Sequence, residues 1–158
     1  MNEMSTDTKS PIQLHALTVR FLLDEVDTGG AATVFETVVP VGAFVPPPHS
    51  HDGFEETIYV QRGTFTVAID GTSQEFGAGQ AAFIGRGQVH SFDNSGGVDG
   101  AFLSVATPGI FGTAYFLEIA EVLAASPDGP PDKGAMFAVM QRHGLTPALP
   151  GLLAAPAN

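Results

Sequence analysis

Three histidines and one of two adjacent glutamates are the residues of this chain best suited to chemistry: His49-Ser50-His51, Glu55-Glu56 and His90. Imidazole nitrogens and a carboxylate are donors for a divalent transition metal. In a β-strand alternate side chains share a face, so His49 and His51 can reach one inward-lying ion together, whereas adjacent residues cannot. The segment Glu56-Thr57-Ile58-Tyr59-Val60-Gln61 is β-branched and aromatic and reads as a strand. Its phase groups Glu56 with Ile58 and Val60, and Glu55 with Thr57, Tyr59 and Gln61. Only the first set has an apolar face behind it. Glu56 is therefore the expected fourth ligand, inside with the histidines, and Glu55 the fallback. His15 reads as a surface residue, and His143 as a partner for a helix dipole.

Composition narrows the chemistry further. The 158 residues contain no cysteine, which excludes disulfides, thiolate ligands and a cysteine nucleophile. A net charge of -11 with only six Lys and Arg leaves no basic patch able to neutralise a phosphate backbone, so nucleic acid is not an expected partner. The first ten residues lack the apolar core of a signal peptide, and no long apolar run occurs anywhere. Neither a membrane nor an export route is indicated, and a cytoplasmic location is expected. The length suits one domain with a core of its own.

The elements that must position these residues are short strands. Nineteen glycines and twelve prolines fit many strands joined by tight turns. Residues 1–12 read as a flexible arm. Strands are expected over 15–23 and 33–39, joined through a hairpin turn at Asp27-Thr28-Gly29-Gly30. The run Pro46-Pro47-Pro48 holds the chain extended just before the histidines. Further strands are expected over 56–61, 64–69, 80–84, 89–92 and 101–106, with Asp70-Gly71 as a two-residue hairpin turn. From residue 107 the period changes. A helix is predicted over 114–125 with Tyr115, Ile119, Val122 and Leu123 on one stripe, and a second over 133–143 with Asp132 as N-cap and Gly144 beyond its end. The chain thus divides into the arm, a β domain over 13–108 and a helical extension over 109–158.

Two motifs in this arrangement resemble those of the cupin family. Gly42, six residues, His49-Ser50-His51, four residues, Glu56, six residues and Gly63 resemble the first cupin motif. Gly79, five residues, Gly85-Arg86-Gly87, two residues, His90, three residues and Asn94 resemble the second. Two departures fall in turns: one extra residue between Gly42 and His49, and Gly85 where the family usually has proline. The resemblance implies an all-β cupin fold, a double-stranded β-helix or jelly-roll barrel, followed here by two short C-terminal helices. It also implies one divalent metal ion (Fe, Mn, Ni, Co or Zn) held by His49, His51, Glu56 and His90. The tail, Pro130-Pro131-Asp132, helix, His143-Gly144-Leu145, resembles that of small quercetinase-like bacterial cupins.

The resemblance points to a dioxygenase of the quercetin 2,3-dioxygenase kind, using O2 on an aromatic or enolisable small molecule bound at the metal. Glu56 then serves as ligand alone, or as ligand and general base. The alternatives are a metal-dependent isomerase, decarboxylase or lyase, and a non-enzymatic small-molecule-binding barrel. Phe92 shares the face of His90 and, with Phe102 and Phe83, is expected to wall the substrate pocket. Phe44, Phe111 and Phe116 are further wall or lid candidates, and Arg86 is a candidate anchor for a carboxylate at the mouth. The apolar hairpin of residues 17–23 and 33–39, with little else to cover it, suggests a homodimer.

Overall fold

Along residues 17–21 and 33–39 every second side chain is apolar or a threonine, which is the pattern of strands with one buried face. A computed structural model of the protein describes residues 8–148 and forms strands there: β2 (Leu17–Leu23) and β3 (Thr33–Val39). The remaining elements, in order, are β1 (Ile12–Leu14), β4 (His49–His51), β5 (Glu55–Arg62), β6 (Thr64–Ile69), β7 (Thr72–Gly77), β8 (Ala81–Ile84), β9 (His90–Asn94), β10 (Gly100–Thr107), α1 (Thr113–Ala124), α2 (Lys133–Arg142) and β11 (Leu145–Pro147). The strands form two antiparallel sheets, one in the order β1-β2-β3-β10-β5-β8 and one in the order β11-β4-β9-β6-β7. Their inner faces meet over a core that includes Val19, Phe35, Ile58, Val60, Phe65 and Phe102. The all-β double-stranded β-helix expected from the sequence is the fold observed.

Turn chemistry explains several joints. Asp70 and Gly71 both take positive φ, 49° and 81°, between Ile69 and Thr72, which pair across the β6–β7 hairpin. That geometry is a type I′ turn, the kind that matches strand twist. The β2–β3 connection differs from the tight turn expected. It is a loop from 24 to 32, braced by Asp24 Oδ1 accepting from the Val26 and Asp27 amides at 2.9 and 3.1 Å. Lys9 forms ion pairs with Asp24 and Asp27. Within the expected arm, residues 1–7 lie outside the described residues, Lys9 is thus held, and Ile12 already begins β1.

Two motif residues have structural reasons to be what they are. Gly63 adopts φ 78°, and a Cβ there would sit 2.8 Å from Gly100 Cα, so a strand crossing depends on its absence. Asn94 is buried at the end of β9. Its Nδ2 donates to the carbonyls of Val39 and Val98 at 2.9 and 3.0 Å, and its Oδ1 accepts from the Gly96 amide at 3.0 Å. One amide thereby ties both sheets to the turn after β9.

The helices cover the hairpin. Asp132 caps α2 by accepting from the Ala135 amide at 3.0 Å. The buried stripe of α1 is Tyr115, Phe116, Ile119 and Leu123, with Phe116 in place of the expected Val122. Phe116 packs edge-on to Phe21 and Phe35 at centroid distances of 5.7 and 5.2 Å. β1 pairs with the free edge of β2. The inward apolar face of the hairpin thus packs against α1, its outward face carries an Arg20–Glu36 ion pair at 3.4 Å, and Leu22 and Leu23 at its end stay exposed. After α2 the chain re-enters the second sheet as β11, a strand the sequence pattern does not reveal.

Asn94→Ala leaves the buried Val39 carbonyl and the part-buried Val98 carbonyl and Gly96 amide without their partner, and unfolding in urea should show a loss of about 1–3 kcal/mol. Asn94→Asp keeps the shape but turns an acceptor toward two carbonyls, and should be at least as damaging. Full stability in either variant would contradict this role.

Candidate metal centre

Strand β4 is only three residues long and all three are buried. Three residues cannot hold a register alone, so it is fixed from outside. His49 pairs with His90 on β9. On the other side Leu145, Thr146 and Pro147 of β11 face His51, Ser50 and His49. Flanking bonds from the Asp52 amide to Gly144 O and from the Ala148 amide to Pro48 O, both 2.8 Å, place Pro147 at a non-hydrogen-bonded position, where its missing N–H costs nothing. The turn Gly85-Arg86-Gly87 contributes too: the Gly87 amide donates to His51 O at 2.9 Å.

These restraints gather three imidazoles. Ring centroids are 5.2 Å apart for His49 and His51, 4.6 Å for His49 and His90, and 4.4 Å for His51 and His90. One nitrogen from each lies within 4.8 Å of the other two. His49 Nδ1 lies 2.8 Å from Pro47 O, and His90 Nδ1 3.1 Å from Gln88 O. A carbonyl accepts only, so each Nδ1 carries the proton and each Nε2 keeps a free lone pair. This is the second-sphere arrangement that orients a metal-binding imidazole. His51 is 1 % exposed, lies stacked on Phe54 at 4.2 Å, and has no hydrogen-bond partner on either nitrogen.

Glu56 completes the cluster from β5. Its Oε2 is 3.6 Å from His51 Nε2 and 3.8 Å from His90 Nε2. Burial pushes its carboxyl up to about 7, with the Ser104 hydroxyl pulling the other way. That hydroxyl is itself buried without a hydrogen-bond partner, so its pull falls short of a full bond. Burial, reinforced by the neighbouring His90, holds His49 down to about 4. Burial acts in the same direction on His51, whose rings at 49 and 90 add to it, and on His90. All three imidazoles are neutral at neutral pH, the form that ligates metal. Glu55 behaves differently: it faces outward and accepts from Arg86 Nε at 3.1 Å.

The donor set fits a divalent cation. An unpartnered buried imidazole costs about 1–3 kcal/mol, which a ligated ion would recover. Three nitrogens and a carboxylate without thiolate suit Fe, Mn, Co, Ni or Zn.

The cluster opens on a cavity of about 60 Å³. Phe92, Phe102, Phe111, Phe116, Ile58 and Tyr115 are among its walls. Phe83 is a correction: it is 62 % exposed on the outer face of β8, where Ala82 and Ile84 point inward. Arg86 does not line the cavity and is engaged by Glu55. Two residues not singled out for the site belong to it. Phe54 floors His51 from a turn that shows no periodicity. Tyr115, assigned only to a helical stripe, brings a phenol into the cavity, and burial followed by the charge of Glu56 raises its pKa.

The cupin domain family matches residues 35–106. The polyketide cyclase RemF from Streptomyces resistomycificus is 32 % identical, with 68 % of this chain and 79 % of that chain covered and a TM-score of 0.56. The chain belongs to the cupin family. A predicted oxalate decarboxylase from Thermotoga maritima shares the fold of this cupin at 24 % identity, 67 % and 96 % coverage and a TM-score of 0.58. A sugar phosphate isomerase of the cupin superfamily from Silicibacter pomeroyi does so at 22 % identity, 60 % coverage of both chains and a TM-score of 0.52. None of the curated proteins matches the chain. No described helix of this cupin is long and apolar enough to cross a membrane.

Elemental analysis of the purified protein should find one divalent ion per chain. His49→Ala with His51→Ala should remove it while the circular dichroism of the barrel persists. Glu55→Gln should leave the metal content unchanged, and Glu56→Gln should lower it. The reverse order for the two glutamates would displace the site by one residue.

Proposed function

We propose that this cupin is a metal-dependent enzyme acting on an aromatic or enolisable small molecule, with one divalent ion held by His49, His51, His90 and Glu56. The observation that carries this reading is a buried carboxyl group beside three histidines, one of them without a hydrogen-bond partner, on the wall of an apolar cavity. A bound divalent ion supplies Lewis acidity, lowering the pKa of a substrate oxygen that reaches it. The protein supplies the rest. The phenylalanine walls exclude water and orient a flat or hydrophobic substrate. Glu56, with 7 % exposure, is placed to take a proton from the substrate inside a medium where a carboxylate is more basic than in water.

Within this class we propose a dioxygenase: the enolate left after proton removal reacts with O2, and a carbon–carbon bond of the substrate is cleaved. Likeness to a polyketide cyclase favours a second reading, in which the same enolate carbon attacks within its own substrate and O2 is not consumed. The chain's own residues have the same duties in both. Oxygen uptake separates them.

With metal restored, an oxygen electrode should record consumption on adding a flavonol or a catechol. Turnover without uptake would select the second reading, and absence of turnover on flavonols, catechols and diketones alike would reject the enzyme. Glu56→Gln should reduce turnover per bound metal by about 100- to 10,000-fold, the usual effect of losing a general base. A substrate already ionised at the assay pH should be much less affected. A loss merely proportional to metal content, for both kinds of substrate, would leave Glu56 as a ligand only.

A further inference from the structure

Beside the metal cavity lies a second one, between the helices and the proline segment that leads to the histidines. It has a volume of about 50 Å³, and Phe44, Pro47, Ile119, Leu123, Met136 and Met140 form the walls that are its own. Its other walls include Leu14, Leu17, Pro46, Tyr115 and Phe116, which line the metal cavity as well. The two spaces are therefore neighbours across a partition of shared side chains. An apolar space beside the first, open to solvent where Phe44 stands, can hold an apolar group out of water.

The chemistry of the walls says what kind. The metal cavity is lined by three histidines and Glu56. The second cavity has no charged side chain, and its one side-chain polar group is the Tyr115 hydroxyl. Two of its walls are methionines on α2, whose unbranched side chains adapt to irregular shapes. At its rim stands Phe44, 56 % exposed beside Pro46 and Pro47, an apolar side chain at an opening rather than in a core.

We infer that the second cavity is a subsite for a hydrophobic extension of the substrate. The ligand is an elongated molecule: an oxygen-bearing head at Glu56 and the histidines, and an uncharged alkyl or fused-ring extension passing Tyr115 and Phe116 to lie under α1 and α2. The inference rests on the metal-headed reading for the position of the head, but the extension is recognised by apolar walls alone. α1 and α2 thereby set specificity by length, while the barrel sets the reaction.

The test is calorimetric binding of 4-methyl-, 4-butyl-, 4-hexyl- and 4-octylcatechol to the metal-loaded protein. Affinity should climb about threefold to fourfold for each methylene that enters the cavity, then level off. Met136→Phe, which fills the cavity, should flatten the climb and leave 4-methylcatechol unchanged. Met136→Ala, which enlarges it, should move the plateau to longer chains, and it serves if phenylalanine unseats α2. A flat series in the wild type, or a climb identical in the variants, overturns the proposal. 4-Hexylanisole, which lacks the paired hydroxyls, separates the two readings. If no catechol binds through its hydroxyls but 4-hexylanisole binds in a manner sensitive to Met136, the subsite stands and the metal-headed reading fails. If 4-methylcatechol binds and chain length has no effect, the reverse holds.

Discussion

The structure turns on keeping four polar groups dry. Three imidazoles and a carboxylate sit inside a phenylalanine-lined barrel, and His51 has no hydrogen-bond partner at either nitrogen. In an apolar interior that arrangement is unfavourable unless the groups stay neutral or share a cation. The shifts follow from this: imidazoles lose basicity and Glu56 gains it, and burial is the largest cause in each case. The site's potential for chemistry and its cost to stability have one origin.

Because the polar cluster opposes folding, its strand needs reinforcement. β4 is too short to provide it. The proline run stiffens the approach, the Gly87 amide holds the His51 carbonyl, β9 aligns His90 with His49, and β11 closes the other edge. Each restraint comes from a different part of the sequence. The glycines and the asparagine of the two motifs are the means by which these parts meet: Gly63 lets backbones cross, and Asn94 bonds carbonyls on either side of it.

How much of this could be read from residues alone depended on whether one face of a strand was polar. β5 alternates cleanly, so the parity that puts Glu56 inside and Glu55 outside is legible in its residues. The Asp70-Gly71 turn and the Asp132 cap were legible because their side chains and φ angles act locally. The sequence Ala81-Ala82-Phe83-Ile84 is apolar on both faces, so nothing in it marks Phe83 as outward. β11 is three residues including a proline, too short for any period to show. The covering of the hairpin by α1 was hidden for another reason: an amphipathic stripe tells which face is buried and not what it is buried against. The second cavity is likewise a product of two surfaces that do not quite meet.

The pairing of β11 with β4 has a consequence in time. Thr146 and Asp52, which bond across this junction, are 94 residues apart in the chain. During synthesis the histidine pair emerges early and waits for the strand that closes its edge, through the making of six further strands and both helices. Contacts so distant form late, after the loop-closure entropy has been met by the rest of the fold. An ion that reaches His49 and His51 beforehand meets a flexible pair of side chains, and one that arrives afterwards meets a fixed cage. Loading of a divalent ion at this site would thereby be coupled to the completion of folding, and a bound ion would give the two distant segments a shared reason to stay together.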